Sequence, residues 1–378
     1  MRKKHMTMLL GAALFCMLFA AGCGAKDNGT GAEKPTATAS DSGLRMTQEQ
    51  TVKKPKYEDR EEFADFLSAA SPSFRIPGLN QAMTPQGITY SEATGLAYIS
   101  SYAGGETPSA ISAVDLATGE FVAEYYLFQA DGSPFTSHVG GIAVTENSVY
   151  LSAKLDSDGS YSVAVLPLAE LPTAGSHNVT VEKNVAVPVS PSFINYSGGM
   201  LWIGNFYHPE ADYGLPPELN HTTQSADGEY GCYVLGYALD PETGLPEPAP
   251  GENYPVPDCI LAAPDRIQGI TYSENRVFLS QSYGRKNNST VLVYSLALTE
   301  DCDTEIELCG ERLPAYILDS RRQSAALTAM PMTEGLCAGP NGSVLILFES
   351  GASRYSDGKY RTDCVWQMPA DGFDPVSK

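Results

Sequence analysis

One short phrase returns five times along this chain. A small residue and two or three apolar positions lead into a polar turn, and a second apolar run then ends in a small or polar residue. The copies run from Gln86-Gly87-Ile88 to Ile99-Ser100 and from Gly140-Gly141-Ile142 to Leu151-Ser152. The third runs from Ser192-Phe193-Ile194 to Ile203-Gly204, the fourth from Gln268-Gly269-Ile270 to Leu279-Ser280, and the fifth from Glu334-Gly335-Leu336 to Phe348-Glu349. Such repetition means one supersecondary unit copied in series, because a single unit cannot bury its own apolar faces. For a strand-rich unit the closed array is a β-propeller, whose radial packing leaves few sheet edges in water.

The first copy shows the local logic. Gly87 to Tyr90 and Leu96 to Ser100 are short apolar runs on either side of Ser91-Glu92-Ala93-Thr94-Gly95, which is strand, turn and strand. A second hairpin follows, with Ala110 to Leu116 leading through Ala117-Thr118-Gly119-Glu120 into Phe121 to Leu127. Cys232 to Asp240 and Thr290 to Ala297 are the matching strands of the third and fourth copies. Two hairpins make a four-stranded blade, so the chain reads as all-β, a five-bladed β-propeller over residues 73–378. The last copy ends early, with Cys364 to Met368 as its third strand. Ser73-Phe74-Arg75-Ile76 is therefore expected to supply the fourth, which would join the two chain ends and remove two open edges. The alternative is six-bladed, and it requires a weak extra copy within Pro241 to Pro264 or Asp301 to Met330.

Before the repeats lie three segments. Arg2, Lys3 and Lys4 precede an apolar run from Met8 to Ala21 that is too short for a stable span. Ala20-Ala21-Gly22 then lead to Cys23, small residues suited to signal cleavage. Ala-Ala-Gly-Cys resembles the lipobox of bacterial lipoproteins. That resemblance implies a signal peptide over residues 1–22, a lipid on Cys23, and a protein held on the extracytoplasmic face of the cell membrane. Residues 23–56 are rich in Gly, Ala, Thr, Ser and Lys and read as a disordered tether. Residues 57–72 read as an amphipathic helix, with Tyr57, Phe63, Phe66, Leu67 and Ala70 on one side.

The formal net charge of −21 argues against nucleic acid as a partner, since phosphate surfaces select clustered Lys and Arg. Six cysteines follow Cys23, and in an exported domain they could pair. Cys302 and Cys309 flank a short loop and are the first candidates, while Cys232 and Cys259 could face one another on neighbouring strands. With no Cys-x-x-Cys motif and few histidines, a structural zinc site is not expected.

In a propeller the first strand of each blade lines the central channel, and the residues that begin first strands share a face with those that end second strands. The leading positions hold Gln86, Gly140, Ser192, Gln268 and Glu334, with His138 just ahead of the second copy. The trailing positions hold Ser101, Ala153, Asn205, Gln281 and Glu349. The insert from Phe206 to Tyr230 carries Tyr207 and His208 and starts at this same face, as a lid would. The candidate ligand-binding residues are thus Gln86, His138, Asn205, Tyr207, His208, Gln268, Gln281, Glu334 and Glu349. Gly-x-Ser-x-Gly, His-Glu-x-x-His and Gly-x-x-x-x-Gly-Lys-Ser/Thr are all absent.

Pro85-Gln86-Gly87-Ile88, Ser112-Ala113-Val114-Asp115-Leu116-Ala117-Thr118-Gly119 and Arg266-Ile267-Gln268-Gly269-Ile270 resemble a group of uncharacterised secreted β-propeller proteins of Gram-positive bacteria. More loosely they are similar to strictosidine-synthase-like and surface-repeat propellers. The resemblance implies fold and location and carries no activity with it. The expected function is non-catalytic binding of a small molecule, glycan or protein at the axial face. The alternative is a metal-assisted hydrolase, lactonase- or glycosidase-like, with Glu334, Glu349 and amide oxygens around an axial calcium.

Overall fold

Each repeat folds as a meander whose innermost strand faces the axis. The computed structural model describes residues 45–369 and 372, apart from 155–160, 241, 246, 247 and 249; residues 1–44, with the expected signal peptide and Cys23, lie outside the described residues. Blade 1 consists of Thr84–Ser91, Leu96–Tyr102, Ala110–Asp115 and Phe121–Phe128; blade 2 of Ile142–Val144, Ser148–Lys154, Tyr161–Pro167 and Lys183–Val187. Blade 3 follows with Phe193–Ser197, Met200–Gly204, Cys232–Ala238 and Cys259–Ala263. Ile267–Ser273, Arg276–Gln281, Ser289–Ser295 and Gln323–Ala329 form blade 4. Blade 5 takes Thr333–Ala338, Ser343–Phe348 and Cys364–Pro369 from the end of the chain, and Ser71–Arg75 from its beginning. Ser71 pairs with Gln367 and Arg75 with Cys364, so the ring closes by the expected exchange of ends.

The inner strands touch in cyclic order, and glycine is what lets them. A Cβ on Gly87 would lie 2.6 Å from the Ile142 nitrogen, and one on Gly141 would lie 2.0 Å from that of Ile194. A Cβ on Gly269 would meet the Gly335 Cα at 2.9 Å, and one on Gly335 would meet the Ile88 nitrogen at 2.9 Å. Backbone therefore packs on backbone from blade 1 to 2 to 3, and from blade 4 through 5 back to 1. Phe193 stands where the other copies have this glycine. It fits because its partner across the pair is Gly204, whose missing side chain leaves room for the ring.

Between blades the cores are aromatic and aliphatic. Tyr98, Tyr125 and Leu151 pack together, as do Tyr150, Tyr233 and Tyr237 further round, all within 1 % of full burial. Each such side chain contributes about 1.5–3 kcal/mol on leaving water. Sequence from the two regions that might have held a sixth blade is used at blade edges instead. Thr304–Leu308 and Glu311–Ile317 form a hairpin added to the outside of blade 3, where Glu311–Ile317 runs parallel to Cys259–Ala263. Gly175–Thr180 adds a fifth strand to blade 1 in the same parallel sense.

The N-terminal helix is shorter than its apolar pattern, a 3-10 turn at Glu61–Phe63 followed by Ala64–Ala69. Tyr57, Phe63, Phe66 and Ala70 are buried and Leu67 partly so, all in one cluster with Phe348 and Trp366. Residues 45–52, within the stretch read as tether, lie against the propeller. Met46 donates its N–H to the buried Glu124 at 2.7 Å, and Thr51 and Val52 donate theirs to Asp363. The cysteine expectations are corrected: all six described thiols are free. The strand Thr304–Leu308 separates Cys302 from Cys309 by about 17 Å of extended chain, far more than a disulfide spans. Cys232 and Cys259 sit on paired strands but four positions out of register, opposite Ala263 and Gly236.

Candidate axial binding site

Three of the five inner strands carry one residue too many for their pairing. The register slips at Gln86, between Pro85 and Gly87; at Gln268, between Ile267 and Gly269; and at Glu334, between Thr333 and Leu336. A bulged residue is released from the ladder and its side chain re-aimed, here toward the axis. The three side chains form the floor of a cavity of about 770 Å³ at one end of the ring. Glu349, placed by its N–H donating to the Met332 carbonyl, completes that floor.

The floor is one hydrogen-bonded cluster. Gln86 Nε2 donates to Glu349 Oε2 at 3.0 Å, and Gln268 Nε2 to Glu334 Oε1 at 3.4 Å. The two carboxyl groups bond to one another, and the Tyr355 hydroxyl bonds to both Glu349 and Tyr102. Burial, then the neighbouring Glu349 charge, drives the Glu334 pKa well above the usual carboxylate range. Burial also raises Glu349, to about 7, with the bonds from Tyr355, Glu334 and Gln86 and the Arg354 charge limiting the rise. Two carboxylates in contact and out of water cannot both be charged, so one proton is shared at neutral pH.

Aromatic rings form the walls. His138 lies 4.3 Å from the Tyr102 ring, and the Arg354 guanidinium lies over the Tyr102 and Tyr355 rings, 5.2 Å and 5.9 Å from their centroids. The enclosing protein, and secondarily the Arg354 charge, push the His138 pKa below its ordinary value, so the ring is neutral at pH 7. Opposite stand Phe206, Tyr213 and Tyr283. Phe206 meets Tyr213 edge-on at 4.9 Å and lies 6.3 Å from Tyr283. Tyr213 and Tyr283 are 51 % and 39 % exposed, the large apolar side chains most open to water among the described residues.

Of the residues singled out from sequence, Gln86, His138, Gln268, Glu334 and Glu349 line this cavity. The structure does not bring the other four to its wall. Asn205 is buried, its Oδ1 accepting from the Tyr233 N–H at 2.8 Å and its Nδ2 donating to the Gly231 carbonyl at 3.1 Å, so it braces blade 3. Gln281 donates to the Asp265 carbonyl and lines a separate small groove with Arg266. Tyr207 packs over Gly231, and His208 sits behind the wall, its Nδ1 2.9 Å from Glu210 and its ring edge-on to Tyr283. The Phe206–Tyr230 insert is thus partly lid, through Phe206 and Tyr213, and partly core, through Leu219 and Tyr230. Tyr102, Tyr283 and Tyr355 were missed. Tyr102, Phe206 and Tyr283 all follow within two residues of a trailing position, a pattern visible in the chain.

The donor set bears on a metal. Calcium takes six to eight oxygens at about 2.3–2.6 Å. As the floor stands, amide nitrogens face the carboxyl groups and the carboxyl groups face one another, an arrangement that suits a shared proton better than calcium. At the surface His208, Glu210 and Asp265 present atoms within 4.8 Å of one another, but the Arg266 guanidinium already pairs with Asp265 at 3.4 Å.

No family model matches the sequence, and no curated protein matches it significantly. Among solved structures the chain is similar to the PQQ-bound form of aldose sugar dehydrogenase from Streptomyces coelicolor. Identity is 14 %, over 79 % of this chain and 95 % of that one, with a TM-score of 0.41. It is also similar to a GH43_1 enzyme from Xanthomonas citri, at 11 % identity over 82 % and 94 % with a TM-score of 0.38. Hydrazine synthase from Kuenenia stuttgartiensis matches at 15 % over 76 % and 86 %, TM-score 0.30. Similarity this low, to proteins of three different chemistries, bears on neither ligand nor reaction.

Proposed function

We propose that the axial cavity binds a small hydroxyl-rich organic molecule, one or two sugar rings in size, without transforming it. The supporting observation is the floor of two carboxyl groups and two amides beneath the Tyr102, Tyr213 and Tyr283 rings. Hydroxyl groups would exchange hydrogen bonds with that floor while the ligand's C–H faces pack on the rings. The volume falls within the range of small-molecule sites, roughly 300–1,000 Å³. Glycoside hydrolysis requires carboxyl groups about 5–9.5 Å apart on opposite sides of the scissile bond. Glu334 and Glu349 instead touch, on the same side, which favours binding over cleavage of that kind.

Calorimetric titration with glucose, galactose, xylose and their disaccharides tests this. Saturable binding of at least one is expected, weakened tenfold or more in the Tyr213→Ala, Tyr283→Ala double variant. Absence of binding by the intact protein across that panel would sink the reading.

The same reading holds the protein outside the cell on a lipid at Cys23, supported by the pattern around Ala20-Ala21-Gly22-Cys23. Labelled palmitate fed to a bacterial host should enter the chain and be lost in Cys23→Ser. Equal labelling of both would count against the anchor.

A further inference from the structure

The floor of the cavity poses a charge problem that a neutral sugar leaves untouched. Glu334 is 4 % exposed and meets Glu349 from the end of the neighbouring strand of the same blade, with Gln86 and Gln268 each holding one oxygen of the pair. The two carboxyl groups bond to one another out of water, and something positive must lie between them. In the free protein it is a proton.

We infer that the ligand of the axial cavity carries a primary ammonium group, which displaces the shared proton and bonds to both carboxylates. The inference rests on the cavity being the binding site and specifies the chemistry of what enters it. The exchange leaves the buried charge unchanged: a singly protonated pair carries −1, and two carboxylates with one ammonium also carry −1. The carboxyl O–H bond breaks, its electron pair stays on the carboxylate and its proton passes to water or buffer; the ammonium N–H groups take its place, and no bond to carbon changes. An ammonium offers three donors where the proton served one hydrogen bond, and each new bond is charge-assisted. A hydroxyl can add bonds at the edge of the pair but cannot replace its counter-charge.

Other charged and titratable groups face the pair, and they permit the exchange. The Arg354 guanidinium opposes a second cation, but it is turned onto the Tyr102 and Tyr355 rings and donates to the Thr84 hydroxyl at 3.2 Å. Arg285, over the Tyr355 ring at 4.8 Å, is balanced by Asp357 at 2.9 Å. His138 is neutral at pH 7 and the Tyr355 hydroxyl keeps its proton, being raised by burial and by Glu349. The chain's net charge of −21 enriches small cations around the molecule.

Glucosamine and glucose are the discriminating pair of probes, titrated calorimetrically at pH 6.5 in two buffers of different ionisation enthalpy. Glucosamine should bind at least tenfold more tightly and release about one proton or more, while glucose releases none. In Glu349→Gln the ratio of the two affinities should fall close to one. Equal affinity in the intact protein, or glucosamine binding without proton release, overturns the inference and leaves sugar binding standing. A second measurement does not depend on ring shape. Methylammonium chloride, against sodium chloride at equal ionic strength, should move the titration of the pair to lower pH, followed by NMR of labelled glutamate. An unmoved titration overturns the inference even if neutral sugars bind.

Discussion

Replacing Gly141 by alanine should remove most of this protein's stability. The new Cβ would lie 2.0 Å from the Ile194 nitrogen and 2.8 Å from the Phe193 carbonyl carbon, both backbone atoms of the next inner strand. Neither can rotate away as a side chain could. The strands must separate, and in a closed ring each separation is passed on to the neighbouring blades. Ordinary overpacking costs about 1–3 kcal/mol; a clash with backbone at this distance belongs to the diagnostic tail, about 4 kcal/mol or more. Gly214→Ala is the control, because nothing lies within 4 Å of a Cβ there. Its effect should stay within about 0.5 kcal/mol. Urea denaturation of the two variants reads the difference, and a Gly141→Ala protein as stable as the parent would mean that the inner strands do not pack as described.

The second large effect is a loss of stability on raising pH. An acid whose folded pKa exceeds its unfolded value binds more protons when folded, so stability falls with pH between the two values. For Glu349 that window runs from the ordinary 4.5 to about 7. At about 1.4 kcal/mol per unit, and discounted for partial solvent access, the cost at pH 8 relative to pH 4.5 is roughly 2–3 kcal/mol. Glu334, raised further, extends the decline to higher pH. General repulsion in so acidic a chain also grows with pH, and so the informative quantity is the difference from a variant. Glu349→Gln should be less stable relative to the parent at pH 5 than at pH 8, the gap changing by that 2–3 kcal/mol. A parent that shows no such difference, and that loses stability at pH 8 when a chelator is added, would hold a divalent cation between the carboxylates in place of a proton. That outcome would restore the metal-assisted alternative.

Much of the architecture was legible because its causes are local. Runs such as Leu96 to Ser100 and Val277 to Ser280 follow polar turns whose Gly95 and Asn275 take positive φ, so strand limits follow from short-range preferences. The closing role of Ser73 to Ile76 followed from a count of strands. The disulfide guess at Cys302 and Cys309 failed because seven positions of sequence separation say nothing about whether the chain between turns or extends; here it extends. Asn205 and Gln281 occupied the right slots in the repeat, yet blade 3 needed an amide to satisfy the buried groups of Gly231 and Tyr233, and that local need decided where Asn205 pointed.

What the residues alone determined, then, was the repeated unit and the glycines that let its copies crowd together, since both depend on neighbours a few positions away. The meeting of Gln86 with Glu349, 263 positions apart, was decided by closure of the ring. So was the shared proton, because a carboxyl group's affinity for hydrogen ions depends on what surrounds it in space, and only the closed fold removes water from Glu334 and sets a second carboxyl group against it.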